Sequence, residues 1–449
     1  MTPILADWLA QWISSQTDSE WGVVALAIIH VAVLGAFFGI PAGIFIWAER
    51  KVSGRIQDRL GPTRTGGMFG WLQSLADGIK LVQKEDLAPE AADKPLFRIA
   101  PYVVVIASFA AFMFLPFADG WSAVAVDVGL FLFLAMLSLE VIGVILAGYS
   151  SGSKWALFGA MREAAQMISY EIPMAICALV PIVVAGSLNL NEIVQLQSGP
   201  GFVDLGVTTV TVLSWNVFHP IAGPAFLCYF VCATASCKRA PFDLAEAESE
   251  LVAGFLTEYS GMRWSFFFLA EYASMFAVSG LAAILFLGGW DDGFGIVHGL
   301  KQTGNPWMVF LANLIGATVF MVKASKLVFL QIWVRWTLPR LRIDQVMTTC
   351  LKYLIPISCA LFLGAVMYPL LLATATRGDN QKSQIFPGPM GARVQPADRT
   401  SPPAIPVETD HGSEESDRDA DDGHHADRSL PESDRTTAQV STQTHEVTQ

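Results

Sequence analysis

Nine acidic side chains in this chain stand where acids are costly or crowded. Glu140, Glu163, Glu171 and Glu271 interrupt long apolar runs, and Asp243, Glu246, Glu248, Glu250 and Glu258 crowd the stretch between two such runs. An ionisable group inside hydrocarbon is expensive and marks an ion or proton path by default. Carboxyl groups close enough to interact take up and release protons as a set. The chemistry such a row could perform is therefore proton exchange. Glu163 and Glu171 lie eight residues apart, so on a helix they share roughly one face. If Leu244 to Tyr259 is helical, Asp243, Glu246 and Glu250 line one side. A plainer reading stands beside six of them. Glu140, Glu171 and Glu271 could be structural carboxylates paired with Lys or Arg, and Glu246, Glu248 and Glu250 could form a solvated loop face.

A second constellation is basic. The run WAERKVSGRIQDRLGPTRTG, Trp47 to Gly66, follows an apolar stretch and holds Arg50, Lys51, Arg55, Arg59 and Arg64, with Glu49 and Gln57 among them. Basic residues packed at a helix end mark the cytoplasmic side of a membrane. Topogenic charge alone would account for some of them. It does not account for Gly54, Gly61-Pro62 and Gly66-Gly67, which call for specific tight backbone. The run reads as a shaped docking surface.

These groups need elements to hold them. The chain of 449 residues is 53% hydrophobic and 15% charged, unusual for a soluble protein. Apolar runs near the spanning length of about 20 residues fall at roughly 22–47, 100–118, 128–149, 163–186, 219–237, 264–288, 307–335 and 351–375. The expectation is an all-α polytopic membrane protein with about eight transmembrane helices. The stretch 201–218, broken by Asp204, Thr208, Thr209 and Thr211, is expected as a loop with β-like alternation. Met68 to Lys84 places Phe69, Leu72, Leu75, Ala76, Ile79 and Val82 on one face and Gln73, Asp77, Lys80 and Lys84 on the other. That spacing predicts an amphipathic helix at the membrane interface.

Loop charges alternate. The loops after the first, third, fifth and seventh runs carry the bases, Lys238, Arg239, Arg340 and Arg342 among them. The opposite loops hold Asp119, Asp127, Glu192, Asp291 and Asp292, with Lys301 as their base. The positive-inside rule then puts both termini outside the cytoplasm. Met1 to Gln16 lacks a basic n-region and is not read as a signal peptide; Trp8, Leu9, Trp12 and Ile13 suggest a short helix on the membrane surface. Three segments result: 1–21, an interfacial N-terminal segment; 22–375, the transmembrane body; and 376–449, a Pro-, Ser- and acid-rich tail expected to be disordered. His424-His425 in that tail reads as solvated rather than as a metal site. His30 and His219 read as ordinary hydrogen-bonded histidines. Lys323 and Lys326 are placed near the cytoplasmic end of their helix, where Lys326 snorkels and Lys323 could pair with an acid. The six cysteines are spaced unlike an iron–sulfur motif and suit small packing roles.

Four stretches carry a family resemblance: ERKVSGRIQDRLGPTRTG (49–66), GAMREAAQMISYEIP (159–173), RAPFDLAEAESELVAGFLTEY (239–259) and WVRWTLPRLRIDQVM (333–347). Together they resemble the quinone-chamber membrane component of respiratory complex I, the H-type component of bacterial NADH:quinone oxidoreductase, equivalent to mitochondrial subunit 1. The resemblance spans about residues 20–375. It implies a multi-pass subunit of the bacterial inner membrane, part of an enzyme complex but without a redox centre of its own. Quinone would be the substrate, with FMN and iron–sulfur clusters in partner subunits. The partners are other membrane and hydrophilic subunits and the lipid bilayer, not nucleic acid. Glu49, Arg50, Lys51, Arg55, Gln57, Arg59, Arg64, Arg239 and Arg335 would serve the quinone chamber and docking face. Glu140, Glu163, Glu171, Asp243, Glu246, Glu248, Glu250, Glu258 and Glu271 would form the proton pathway, and the amphipathic helix would frame the quinone entrance. Two alternatives remain: the homologous subunit of a membrane-bound hydrogenase complex, and a stand-alone ion transporter.

Overall fold

The computed structural model describes residues 20–124, 126–198, 203–204, 209–210, 214–244, 251–302 and 305–376. The expected N-terminal surface helix, the acidic tail, and Glu246, Glu248 and Glu250 lie outside the described residues. All the described residues belong to one unit, Met1–Arg393.

The described architecture is helical. Helix α1 (Glu20–Ile56) is followed by α2 (Gln73–Gln83), α3 (Lys94–Phe112), α4 (Gly129–Ser150), α5 (Lys154–Ala185) and the short α6 (Leu190–Gln197). Two two-residue strands, Val203–Asp204 and Thr209–Val210, pair antiparallel, in the stretch where alternation was expected. Then come α7 (Ala222–Ser236), α8 (Gly261–Phe286), α9 (Ile296–Gln302), α10 (Pro306–Thr337), α11 (Ile343–Thr348), a π-helical turn (Thr349–Leu354) and α12 (Ile355–Thr376). Among the described residues seven helical spans are long and apolar enough to cross a membrane: those of α1, α3, α4, α5, α8 and α10, and Ile343–Tyr368. The eighth expected span, α7, has 15 residues. At 1.5 Å per residue it reaches about 22 Å, short of the roughly 30 Å hydrocarbon core.

Burial orders the helices. Residues 272–286 of α8 are all buried, so α8 is the central helix. The outer surface is apolar instead of charged: Ile40 and Ile44 of α1, Phe131 of α4, and Phe329 and Trp333 of α10 are exposed. That inversion suits a lipid solvent. Small residues let the helices close. A Cβ on Gly148 of α4 would stand 2.2 Å from the Ala160 Cβ of α5, and one on Gly159 would stand 2.6 Å from the Gly254 Cα.

Two element boundaries differ from the sequence expectation. Helix α1 does not end at Trp47 but runs to Ile56, so Glu49, Arg50, Lys51 and Arg55 are helical. Hydropathy reports where lipid contact stops, not where backbone hydrogen bonding stops, and charged residues are good helix formers. The amphipathic helix starts at Gln73 rather than Met68, because Gly66, Gly67 and Gly70 adopt positive φ ahead of it. Its apolar side chains Leu75, Ile79 and Val82 are exposed, as an interfacial helix requires.

A buried acid–base network

The site is assembled at one end of six helices. Glu49 comes from the last turns of α1, Arg335 from the end of α10, Glu140 from α4, Glu163 and Glu171 from α5, and Glu271 and Tyr272 from α8. Lys238 and Arg239 follow α7. Because α7 is short, the chain leaving it is still inside the helical body. Arg239 is among the largest fully buried side chains, at 1% exposure. The sequence counted both among the loop bases, with Arg239 also expected at the quinone chamber; the structure places both among the acids.

The exit from α7 separates them. Lys238 N–H donates to the Ala235 carbonyl and Arg239 N–H to the Thr234 carbonyl. This is the Schellman pattern that ends many helices, with Lys238 at the left-handed position usually taken by glycine, φ 57°.

Arg239 reads two carboxylates. Its Nη1 lies 3.0 Å from Glu49 Oε2, and its Nε lies 3.0 Å from Glu271 Oε1, the latter an ion pair without an aligned hydrogen bond. Arg335 Nη1 donates to Glu49 Oε1 at 2.6 Å, and the Tyr272 hydroxyl donates to Glu49 Oε2 at 2.5 Å. The Tyr272 ring also lies beneath the Arg239 guanidinium, 4.2 Å from centroid to Cζ.

Lys238 serves the second pair. Its ammonium lies 2.5 Å from Glu163 Oε1 and 3.2 Å from Glu140 Oε1. The Glu163 contact is charge to charge rather than an aligned hydrogen bond. Ser274 donates to Glu140 Oε2 at 2.7 Å, and Ser108 lies 2.9 Å from Ser274. Deeper along α5, Glu171 accepts from the Ser138 hydroxyl at 3.2 Å.

Of the expected acids, Glu140, Glu163 and Glu271 thus meet in one network with Glu49, Arg239 and Arg335. The plainer alternative, a carboxylate with a cationic partner, describes Glu140 and Glu271, and Glu163 is paired likewise, whereas Glu171 accepts from a neutral hydroxyl. Asp243 is held apart by Arg340, Nη2 to Oδ2 3.1 Å. Glu258 is half-buried in the turn ahead of α8 and takes no part in these pairs. The conditional helix from Leu244 to Tyr259 is not continuous: Gly254–Leu256 is a 3-10 turn. Lys238, Tyr272, Ser108, Ser138 and Ser274 were not among the expected site residues. Lys238 carried a signal, being a base directly beside Arg239 at the end of an apolar run; the hydroxyls carried none.

Lys323 needs correction. It donates to the Leu287 and Asp291 carbonyls, each at 2.6 Å, in the loop leaving the far end of α8. Twelve residues, about 18 Å, separate it from Arg335 along α10, so it lies mid-helix rather than near the end that Arg335 marks. His219 behaves as expected, its Nδ1 accepting from Ile221 and Ala222 at the start of α7.

The basic run flanks the network. Arg55, Arg59 and Arg64 are exposed, and Arg59 Nε donates to Gln57 Oε1 at 2.8 Å. Lys51 reaches the Leu60 carbonyl at 3.5 Å, and Arg50 pairs with Asp77 of α2. The glycine requirement is real: a Cβ on Gly54 would meet Gly61 N at 2.9 Å, and one on Gly70, φ 63°, would meet the Pro62 carbonyl oxygen at 2.3 Å. An apolar groove of about 210 Å³ lies between α1 (Phe37, Ile40, Pro41, Ile44) and α10 (Met321, Ser325). It is smaller than the roughly 300–1,000 Å³ of typical ligand pockets. Among the described residues no group of three or more His, Cys, Asp or Glu side chains could hold a metal ion.

The family described as NADH dehydrogenase matches residues 28–366, which include every residue of this network. This chain belongs to that family. Among its relatives is the H-type component of the NADH-quinone oxidoreductase of Chlorobaculum tepidum, 44% identical over 346 residues, covering 76% of this chain and 89% of that protein. The Geobacillus kaustophilus protein of the same name is 42% identical over 355 residues, covering 78% and 95%. The Bacillus mycoides protein is 44% identical over 363 residues, covering 79% and 98%. The family match ends near residue 366, so the tail lies outside it.

Proposed function

We propose that this chain is the membrane subunit of a proton-translocating NADH–quinone oxidoreductase of the bacterial plasma membrane, with both termini outside the cytoplasm. It would form part of the quinone chamber and couple quinone reduction to proton movement. The names of its relatives support the subunit role. The network supports the coupling role. Four carboxylates (Glu49, Glu140, Glu163, Glu271) face three cations (Lys238, Arg239, Arg335). Fully ionised, that set carries one uncompensated negative charge away from water, which is costly. One proton makes it neutral. A change in charge at the Glu49 end, next to the basic docking face, can therefore displace a proton at the Glu163 end. Glu171, a further eight residues along α5, continues the path.

Hydride and iron–sulfur electron transfer would belong to partner subunits carrying FMN and clusters. The exposed arginines Arg55, Arg59 and Arg64 would meet the hydrophilic partner, and α2 would frame the quinone entrance.

The experiment is purification of the intact complex through this chain, followed by reconstitution into liposomes. Co-purified flavin and NADH-binding chains, NADH-driven quinone reduction and acidification of one compartment are expected. A nickel–iron partner, or quinone reduction without any pH change, would contradict the proposal.

A further inference from the structure

The network above leaves one kind of reactive side chain unused. All six cysteines are free thiols. Cys177 of α5 and Cys228 of α7 meet thiol to thiol, in hydrogen-bond contact. Cys232, one turn further along α7, and Cys359 of α12 lie close enough to interact electrostatically with Cys177. Cys350 donates to the Ser169 carbonyl of α5 at 3.1 Å. A strip of thiols thus runs along the junction of α5, α7 and the last helices. Among the described residues no three of them converge as metal ligands do, so the chemistry open to the strip is that of sulfur pairs.

Helices α5 and α7 run antiparallel and pack against each other. Gln166 Nε2 of α5 donates to the Ala235 carbonyl of α7 at 2.7 Å, and just past the end of α7 Lys238 meets Glu163. Cys177 lies fourteen residues beyond Glu163, about 21 Å along α5, and Cys228 ten residues before Lys238, about 15 Å. The thiol contact is the inner rung of a ladder whose outer rung is the ion pair. Access separates the two sulfurs. Cys177 is buried and Cys228 half-buried. Leu227, next to Cys228, is 65% exposed on the apolar outer surface, so a molecule reaching Cys228 arrives through hydrocarbon. An oxidation-sensitive thiol is accessible and has a resolving thiol beside it; Cys228 and Cys177 occupy those two places.

We infer that Cys177 and Cys228 are a redox-sensitive pair that an organic hydroperoxide, of the kind oxidised acyl chains carry, converts to a disulfide joining α5 to α7. The Cys228 sulfur attacks the peroxide. The O–O bond breaks, an S–O bond forms, and the departing oxygen takes the Cys228 proton and leaves as an alcohol. Cys177 then attacks the Cys228 sulfenic acid. The S–S bond forms, the S–O bond breaks, and hydroxide leaves with the Cys177 proton as water. The two thiols lose two electrons and the peroxide gains them. The link fixes α5 against α7, and with them Glu163 against Lys238, so the complex slows. This last consequence rests on the reading that the network serves quinone reduction.

The test uses the intact complex in liposomes, treated with cumene hydroperoxide and then mapped as peptides without reduction. A Cys177–Cys228 linked peptide is expected, with a several-fold fall in NADH–quinone reductase activity that dithiothreitol reverses. Cys228→Ser should leave the untreated activity unchanged and abolish both the peptide and the loss; Cys177→Ala takes its place should Cys228→Ser fail to assemble. Absence of the linked peptide, or a Cys228–Cys359 link in its stead, would overturn the pair. A link formed with unchanged activity would overturn the switch. An untreated complex without quinone reductase activity would overturn the underlying reading instead.

Discussion

Lys238 and Arg239 are adjacent in the chain yet bind different acids, Lys238 those of α4 and α5, Arg239 those of α1 and α8. The left-handed backbone at Lys238 makes this possible. A non-glycine residue adopts that conformation at a cost of about 1–2 kcal/mol. Four ion pairs offset it. One helix exit thus ties four helices together and joins two carboxylate pairs into one electrostatic unit.

Removing the lysine should show this. Lys238→Met leaves Glu140 and Glu163 buried without their cation. Breaking one side of a buried pair costs about 3–5 kcal/mol. A clear fall in the thermal midpoint of the purified complex is expected, with partial recovery in Lys238→Met/Glu163→Gln, because the double variant removes a stranded charge. Destabilisation that simply adds in the double variant would show that the two side chains do not interact.

Glu171 should behave differently. It accepts a hydrogen bond from the neutral Ser138 hydroxyl, so Glu171→Gln strands no cation. Stability should stay within about 1 kcal/mol of wild type, while protons moved per NADH fall. A complex that fails to assemble with Glu171→Gln would point to a structural carboxylate instead.

Packing near the network is also open to test. Gly159 faces the Gly254 backbone one turn from Glu163. Gly159→Ala forces that contact apart, an overpacking cost of about 1–3 kcal/mol. Gly78→Ala, where a Cβ meets nothing within 4 Å, is the matched control and should be neutral or slightly stabilising. Equal effects from both would remove the steric argument.

The exposed arginines make a separate claim. The side chains of Arg55 and Arg59 are exposed, so Arg55→Ala/Arg59→Ala should leave the membrane subunit folded. Retention of the hydrophilic subunits during purification should weaken, more at high salt, since exposed charges are screened. Retention identical to wild type at every ionic strength would assign these arginines to topology alone.

Much of the architecture was legible because lipid imposes a crude rule. Apolar runs of spanning length gave the helices, and acids inside them gave Glu140, Glu163, Glu171 and Glu271. What stayed hidden was depth. Lys238 and Arg239 looked like loop bases because nothing in the composition says that α7 stops short. Glu49 was expected at the chamber but in a loop, because α1 outruns its hydrophobic stretch. Lys323 was placed near the cytoplasmic end of its helix, whereas it lies mid-helix and meets the carbonyls of Leu287 and Asp291. Tyr272, Ser108 and Ser274 had no sequence signal, because a hydroxyl on a buried helix face is indistinguishable from a packing residue until its partner is known.

The central claim is that the buried network couples quinone reduction to proton movement. Glu163→Gln tests it most directly, since it removes one ionisable site beside Lys238 with little change in shape. The measurement is protons moved per NADH oxidised by the assembled variant complex in sealed liposomes. The account predicts a ratio clearly below wild type at matched complex content. An assembled Glu163→Gln complex with the wild-type ratio would contradict it.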